Sequence, residues 1–560
     1  MTSGNDRLTG VSDPIERTVA QLLVACLENE GVEVVFGLPG EENLHVIDAL
    51  EDSSIRFVTT RDERGAAFMA DIYGALTGRA GVCLATLGPG ALNLVLGIAD
   101  AQLDSHPLVA LMAQAGLDRL YKESHQVVDL VSLYRPVTKW GDMITLRDAA
   151  PEIVRKAFKQ AETERPGATF VVLPEDVADL RTHARPMKVN VPRDPSPSDD
   201  QVHRAAHVLE EARHPVVLAG AGVARDRAVA ALRRFSERLS IPVATTFQGK
   251  GAIPDDHPNA LGTIGFMVHD YANFGFDRSD LVIAVGYDIV EYAPARWNPL
   301  ADKRIIHIHR SVAEVDANYP LEVGLQGSIG EALDAIADAA GTHPVMTEVP
   351  PVKELLREEW ERGAADDSFP MAPARIVHDI REAMGREDIV LCDTGAAKMW
   401  MARLYPTYEP NTCMLSNGLA TMAFALPGAI AARLVHPERK VLAVVGDGAF
   451  LMSAAEIETA VRERVPLVVL VWVDGGYGLI GWKQDLHFGQ RSAVSFGNPD
   501  FESLAASYGA TGHLIRRPDE LLPTLREALG GDGVTVIACP VDYAENALLV
   551  ERLGQLEGSL

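Results

Sequence analysis

A chain of 560 residues has room for about three to four domains at roughly 150 residues each, and 47% hydrophobic residues is ordinary globular composition, which excludes disorder or coiled coil for the bulk. Lys+Arg 51 against Asp+Glu 78 leaves a net charge of −27, a field that repels phosphate backbones and anionic lipid head groups, so neither nucleic acid nor membrane is expected as a partner. The first 30 residues lack the basic, apolar, small-residue order of a secretory signal. No run approaches the ~20 apolar residues of a membrane span, and the expected location is cytoplasmic. Cys26, Cys83, Cys392, Cys413 and Cys539 are scattered through mostly apolar runs without metal-ligand spacing and read as buried, reduced thiols.

In chain order, residues 16–29 have helical apolar spacing, Val32 to Phe36 is a short β-branched run, and Gly37-Leu38-Pro39-Gly40 turns it. The order then recurs: a small-residue helix over Gly65 to Gly78, a strand over Gly81 to Thr86, and a tight Leu87-Gly88-Pro89-Gly90-Ala91 loop feeding a helix near Asn93 to Gln102. Leu108 to Ala113 and Thr169 to Leu173 are further strands. This alternation predicts a parallel sheet covered on both faces. A polar stretch, Arg185 to Asp200, separates it from a middle block. There the spacing predicts a helix, then strands at Pro215 to Leu218, Ile241 to Thr245, Leu281 to Val285 and Arg304 to His309. The Gly220-Ala221-Gly222 turn is half of a dinucleotide fingerprint without a placed acidic or basic partner, and reads as structural.

A second polar stretch, near His343 to Met371, leads to the last block. Its strand Ile389 to Leu391 ends in Asp393-Thr394-Gly395. The run Val441 to Val445 ends in Gly446-Asp447-Gly448-Ala449, with a helix expected from about Ser453, and Leu467 to Val473 ends in Asp474-Gly475-Gly476-Tyr477-Gly478. The chain thus reads as α/β with three domains of parallel-sheet architecture, 1–185, 201–340 and 372–555. Ligands in open α/β sheets collect beyond the carboxyl ends of the strands. Asp447 and Asp474 both fall there, and two carboxylates at adjacent strand ends are hard oxygen ligands of the kind Mg²⁺ takes together with a diphosphate. Gly446 and Gly448 let backbone approach phosphate closely.

The stretch from Gly446-Asp447-Gly448 through Asp474 resembles the thiamine diphosphate motif. Four segments resemble acetolactate synthases, closer in several places to the degradative type: RDERGAAFMADIYGALTGRAGVCLATLGPGALN, SHQVVDLVSLYRPVTKW, LSNGLATMAFALPGAIAA and VVGDGAFLMSAAEIETAVRERVPLVVLVW. The resemblance covers almost the whole chain. It implies a pyrimidine-binding domain, a central domain and a diphosphate-binding domain, with thiamine diphosphate and Mg²⁺ as cofactors and a small-molecule 2-keto acid as substrate. The implied assembly is a homodimer or dimer of dimers with intersubunit active sites. The implied activity is condensation of two pyruvates to 2-acetolactate with release of CO₂. A 2-keto acid decarboxylase, or a carboligase taking another keto acid or an aldehyde as acceptor, is the alternative.

Residue by residue, the resemblance makes Glu63 the carboxylate that accepts the proton at pyrimidine N1′, and Gln126 the amide facing the reacting centre. Met422 becomes the hydrophobe between the two cofactor rings and Ala420 a backbone holder of the aminopyrimidine. Asp447, Asp474 and the Gly476 carbonyl become the metal ligands. Gly395, Ala396, Ala397, Gly446, Gly448, Ala449, Tyr477 and Gly478 complete the cofactor contacts. Asp474 stands where many relatives have asparagine, and Ala396 and Ala397 replace a polar pair. Asp288 and Lys483 stand where biosynthetic members carry arginine and tryptophan, and Gly40-Glu41-Glu42-Asn43 lacks a lysine that degradative members show. Gly249 to Pro258 looks like the flavin-binding branch, whereas Gly286-Tyr287-Asp288 to Trp297-Asn298 looks flavin-independent, which leaves FAD open. Arg119, His125 and Lys483 are the candidates to meet an acceptor carboxylate.

Overall fold

In the computed structural model, residues 16–190, 195–265, 271–340 and 349–546 are described. The expected domain limits 1–185 and 372–555 therefore run over residues 1–15 and 547–555, which lie outside the described residues. The chain forms three six-stranded parallel sheets with helices on both faces, the α/β architecture expected.

The first sheet is laid out in the order 56–59, 34–37, 81–85, 108–114, 168–174, 140–143. The last follows 413–415, 389–392, 441–446, 467–473, 534–540, 511–514. Numbered by appearance within each domain, both read 2-1-3-4-6-5, so the two outer domains share one topology. The central sheet, spanning 215–326, reads 3-2-1-4-5-6, the order of dinucleotide-binding sheets. Central strands such as Leu108–Gln114 and Ala168–Pro174 are buried along their whole length, which explains their unbroken apolar runs.

The outer domains share one core. Helix Glu63–Thr77 of the first packs against helix Ala425–Val435 of the last, with the rings of Phe68 and Phe424 meeting edge-on at 6.0 Å. Small residues allow this approach: a Cβ on Gly428 would lie 2.9 Å from Ile72. All five cysteines are buried and free.

Three expectations are corrected. Helix Glu63–Thr77 starts two residues before Gly65, because Asp62 caps it by accepting the Arg64 amide at 2.8 Å. The helix expected from Ser453 instead begins at Asp447 and ends at Ser453, directly after the strand. The polar stretch 343–371 holds a helix, Val349–Ala364, whose buried Glu359 pairs with the buried Arg403. Residues 343–348 of that stretch and 191–194 of the first lie outside the described residues.

Candidate active site

Strands Val441–Gly446 and Leu467–Val473 are hydrogen-bonded neighbours, with Gly446 opposite Trp472, so Asp447 and Asp474 emerge side by side. Asp447 is buried. Its Oδ1 accepts the Gly448 amide at 2.8 Å, and its Oδ2 accepts the Gly475 amide at 2.8 Å and Asn498 Nδ2 at 2.7 Å. Asp474 is exposed as a residue, but desolvation of its carboxyl, and then the charge of Asp447, push that group up to about 7, against a hydrogen bond from the Gly476 amide. A cation placed between the two carboxylates would relieve that repulsion. Gly478 is glycine for the same reason: a Cβ there would lie 2.5 Å from Asp474 Oδ2. The loop is braced from outside, as the Tyr477 amide donates to the Val494 carbonyl at 2.8 Å and the Phe496 amide to the Gly475 carbonyl at 3.0 Å.

Beside these strand ends the backbone faces open space at two glycines. A Cβ built on Gly446 or Gly395 would meet nothing within 4 Å. Ala396 and Ala397, buried, open the helix Ala396–Leu404 behind Gly395, and Thr394 Oγ1 is buried beside it with no hydrogen-bond partner among the described residues. Ala449 is buried in the helix after Asp447, while Tyr477 is partly exposed against the ring of Phe496. Among the described residues no cluster of three or more acidic, histidine or cysteine side chains could hold a metal. Asp447 and Asp474 at neighbouring strand ends are two hard oxygen ligands, a pair that fits Mg²⁺ completed by diphosphate oxygens and water.

Met422, half-buried, and Ala420, exposed with φ 53°, lie on the loop after strand Cys413–Leu415. Asp393, at the end of strand Ile389–Cys392, fixes the end of this loop: its buried carboxylate accepts the Phe424 amide at 2.9 Å. Asn498 had no signal beyond an Asn-Pro turn.

Glu63 is half-buried as the first residue of its helix and accepts Asn93 Nδ2 at 3.0 Å, with Gly90 alongside. Among the described residues no hydrogen bond joins it to the Asp447 and Asp474 strand ends of its own chain. Gln126 is exposed, at φ 58°. Arg119 is engaged elsewhere, donating to Ser124 Oγ (3.1 Å), Glu175 Oε1 (3.2 Å) and the His125 carbonyl (3.1 Å). Lys483 is exposed beside the buried Trp482 on helix Gly478–Phe488. Asp288 is buried and paired with Arg165 at 2.8 Å.

The Gly220-Ala221-Gly222 turn, read as structural, is bonded to a side chain of its own domain. The Ala221 amide donates to both oxygens of Glu291 (3.2 and 3.1 Å), which also accepts from Thr246 Oγ1 (2.5 Å) and the Asp288 amide (3.1 Å). The Glu291 carboxylate thus ties this turn to the strand end of residues 281–285. The flavin-like stretch Gly249 to Pro258 is an interdomain anchor: Lys250 is buried beside Asp255 and Thr263, and Asp255 accepts the Thr407 amide at 2.8 Å.

Three family models match in chain order. Residues 17–133 match the N-terminal TPP binding domain of thiamine pyrophosphate enzymes, 202–336 their central domain, and 393–539 their C-terminal TPP binding domain. The class is thereby set as a thiamine pyrophosphate enzyme throughout its three sheets. The chain is 38% identical over 534 residues to the acetolactate synthase of Bacillus subtilis (strain 168), covering 94% of each chain. It is 36% identical over 543 residues to a catabolic acetolactate synthase of Raoultella terrigena, covering 95% of this chain and 97% of the other. It is 32% identical over 530 residues to the acetolactate synthase isozyme 2 large subunit of Escherichia coli (strain K12), covering 94% and 96%. The chain belongs to the thiamine diphosphate-dependent acetolactate synthase-like family of enzymes. Among the described residues no helix is long and apolar enough to cross a membrane.

Proposed function

We propose that this enzyme condenses two molecules of pyruvate to 2-acetolactate with release of CO₂, using thiamine diphosphate and Mg²⁺ and no flavin. The observation that carries the reading is the Asp447–Asp474 pair at neighbouring strand ends, beside glycines that face open space, in a chain that runs nearly the full length of named acetolactate synthases. When bound, thiamine diphosphate supplies an acidic carbon and an electron sink for decarboxylating a 2-keto acid. Asp447, Asp474 and the Gly476 carbonyl would hold Mg²⁺. The backbone from Gly446 to Ala449 and from Gly395 to Ala397 would receive the diphosphate, with Tyr477 and Gly478 at its rim. Met422 and Ala420 would seat the rings, Glu63 would accept the proton at pyrimidine N1′, and the Gln126 amide would donate to an oxygen that gains charge in the reaction.

Glu63 opens to solvent in the single chain, bonded within its own domain. This supports a site completed between two copies, Glu63 from one and the Asp447–Asp474 pair from the other, with a homodimer as the smallest active assembly, a dimer of dimers as a possible larger one, and the cytoplasm as its location. A second reading is a decarboxylase, or a carboligase with an aldehyde acceptor. The engagement of Arg119 with Glu175 favours it, since that cation is spent on its own loop. Incubation with pyruvate, thiamine diphosphate and Mg²⁺, resolving acetolactate, acetaldehyde and acetoin, separates the two. Acetaldehyde without acetolactate would refute the first.

A further inference from the structure

The two outer domains, built on one strand order, grip each other by the same device used twice. In the last domain, the helices after the third strand carry Glu456. Its buried carboxylate accepts the amides of Arg61 (3.1 and 3.3 Å) and Asp62 (3.1 Å) of the first domain. Those two residues form the turn between that domain's second strand and Glu63. In the first domain, the helix after the third strand, Pro89–Asp104, ends in Asp104. Its buried carboxylate accepts the amides of Asn417 (2.9 Å) and Gly418 (2.5 Å) of the last domain. Those residues follow that domain's second strand and lead directly to Ala420 and Met422.

Each grip has a glycine that makes room for the carboxylate. A Cβ on Gly65 would lie 2.5 Å from Glu456 Oε1, and one on Gly418 2.8 Å from Asp104 Oδ1. Each is also locked from behind. Thr459 Oγ1 donates to Glu456 at 2.6 Å. On the other arm, Ser416 Oγ donates to Asp100 at 2.7 Å while accepting the Thr421 amide at 2.9 Å, and Lys398 Nζ donates to the Ser416 carbonyl at 2.6 Å. Two successive amides donating to one fixed, buried acidic side chain define a backbone more tightly than apolar packing does.

We propose that Glu456 and Asp104 are a reciprocal pair of positioning residues, each anchored in one outer domain and setting the turn that presents the other domain's cofactor-facing groups: Glu63 in one case, Ala420 and Met422 in the other. The inference rests on the reading of those three residues given above. If the site is completed between two copies, Glu63 and the Met422 loop of one chain serve different sites, and this interface within the chain joins them.

The test uses the full-length protein and the variants Glu456→Gln and Asp104→Asn, in which a side-chain amide turns a donor toward backbone donors. Three quantities are measured: backbone amide exchange without cofactor, by mass spectrometry; thiamine diphosphate affinity with Mg²⁺, by calorimetry; and hydrogen–deuterium exchange at C2 of bound cofactor. Measured at pH 8, where Glu456 is ionised, Glu456→Gln should speed amide exchange around residues 61–63, leave cofactor affinity within about twofold, and slow C2 exchange about tenfold, the scale of one lost hydrogen bond to a charged group. Asp104→Asn should speed amide exchange around 416–422 and weaken cofactor affinity by about tenfold. If Asp104→Asn does not fold, Ser416→Ala, which cuts the link to Asp100, should show the same pattern. Wild-type affinity and C2 exchange in both variants would overturn the proposal, as would equal loss of both quantities in both, the mark of general destabilisation. Failure of the wild-type protein to bind thiamine diphosphate would overturn the cofactor reading instead, leaving the two grips to be judged on amide exchange.

Discussion

Replacing Gly446 by alanine should move stability and cofactor affinity in opposite directions. Its backbone is extended, at φ −75° and ψ 155°, which alanine adopts without strain. The added methyl would meet no protein atom within 4 Å. In the cofactor-free protein the exchange should therefore stabilise by about 0.4–1 kcal/mol, because the unfolded chain loses freedom that the folded chain never had. If the diphosphate lies across this turn, the same methyl enters its volume. Forcing a methyl into a packed contact costs about 1–3 kcal/mol, or about a five- to 140-fold loss of affinity at 1.4 kcal/mol per tenfold. Gly533→Ala is the control, an exposed glycine also free of neighbours, which should leave affinity unchanged. Denaturant unfolding of the cofactor-free proteins and calorimetric titration with thiamine diphosphate at fixed Mg²⁺ give both quantities. Unchanged affinity in Gly446→Ala would place the diphosphate elsewhere, and a loss of stability beyond about 1 kcal/mol would refute the reading of open space at Gly446.

Asp447→Asn should weaken Mg²⁺-dependent cofactor binding more than Asp474→Asn, since Asp447 also accepts the Gly448 and Gly475 amides and Asn498, and its amide would face donors; equal losses by calorimetry would contradict this ranking. Glu63→Gln should keep cofactor affinity within a few-fold and lower turnover of pyruvate by about 10²–10⁴-fold, whereas wild-type C2 exchange in the saturated variant would remove Glu63 from the chemistry. Burial pushes Glu456 up to about 7 from an ordinary 4.5, with the nearby Asp62 charge adding to it and the Thr459 hydroxyl and the Arg61 and Asp62 amides opposing. The folded chain then holds a proton that the unfolded chain releases, so the group's contribution is full below about pH 4.5 and is lost as pH rises through about 7. Relative to Glu456→Gln, the wild-type protein should lose up to about 3 kcal/mol between about pH 5 and about pH 8 in urea unfolding, and a pH-independent difference would count against it.

The strands were legible because buried parallel strands are continuous apolar runs, and Asp447 and Asp474 were legible because each interrupts such a run at its end. The helix at Asp447 was not. Gly-Asp-Gly reads as a turn, yet an aspartate in the first helical turn is favoured by the helix dipole, and glycine is tolerated where the phosphate would approach. Helix Val349–Ala364 was hidden by its charge and its Pro350-Pro351 pair, although proline is at home in a first helical turn. Its burial of Glu359 against Arg403 is a tertiary event. Glu456, Asp104 and Asn498 were illegible for a stronger reason. Glu456 and Asp104 find their partners some 395 and 313 positions away, and a lone acidic residue on a helix carries no mark of the amide it will meet.

The central domain illustrates how a binding fold can be kept while its binding position is closed. In a sheet ordered 3-2-1-4-5-6, ligands settle where the order reverses, between the first and fourth strands, here Pro215–Ala219 and Leu281–Val285. Gly220-Ala221-Gly222 follows the first of these and Glu291 follows the fourth, so the carboxylate closes the crevice at its natural mouth. The backbone carbonyl of the same Glu291 accepts Asn417 Nδ2 at 2.8 Å, and the amide of Asn417 is one of the two held by Asp104. One residue thus occupies the crevice at these strand ends and, through its main chain, braces the loop that leads to Met422. On this geometry the loop that carries Ala420 and Met422 is held from all three domains at once.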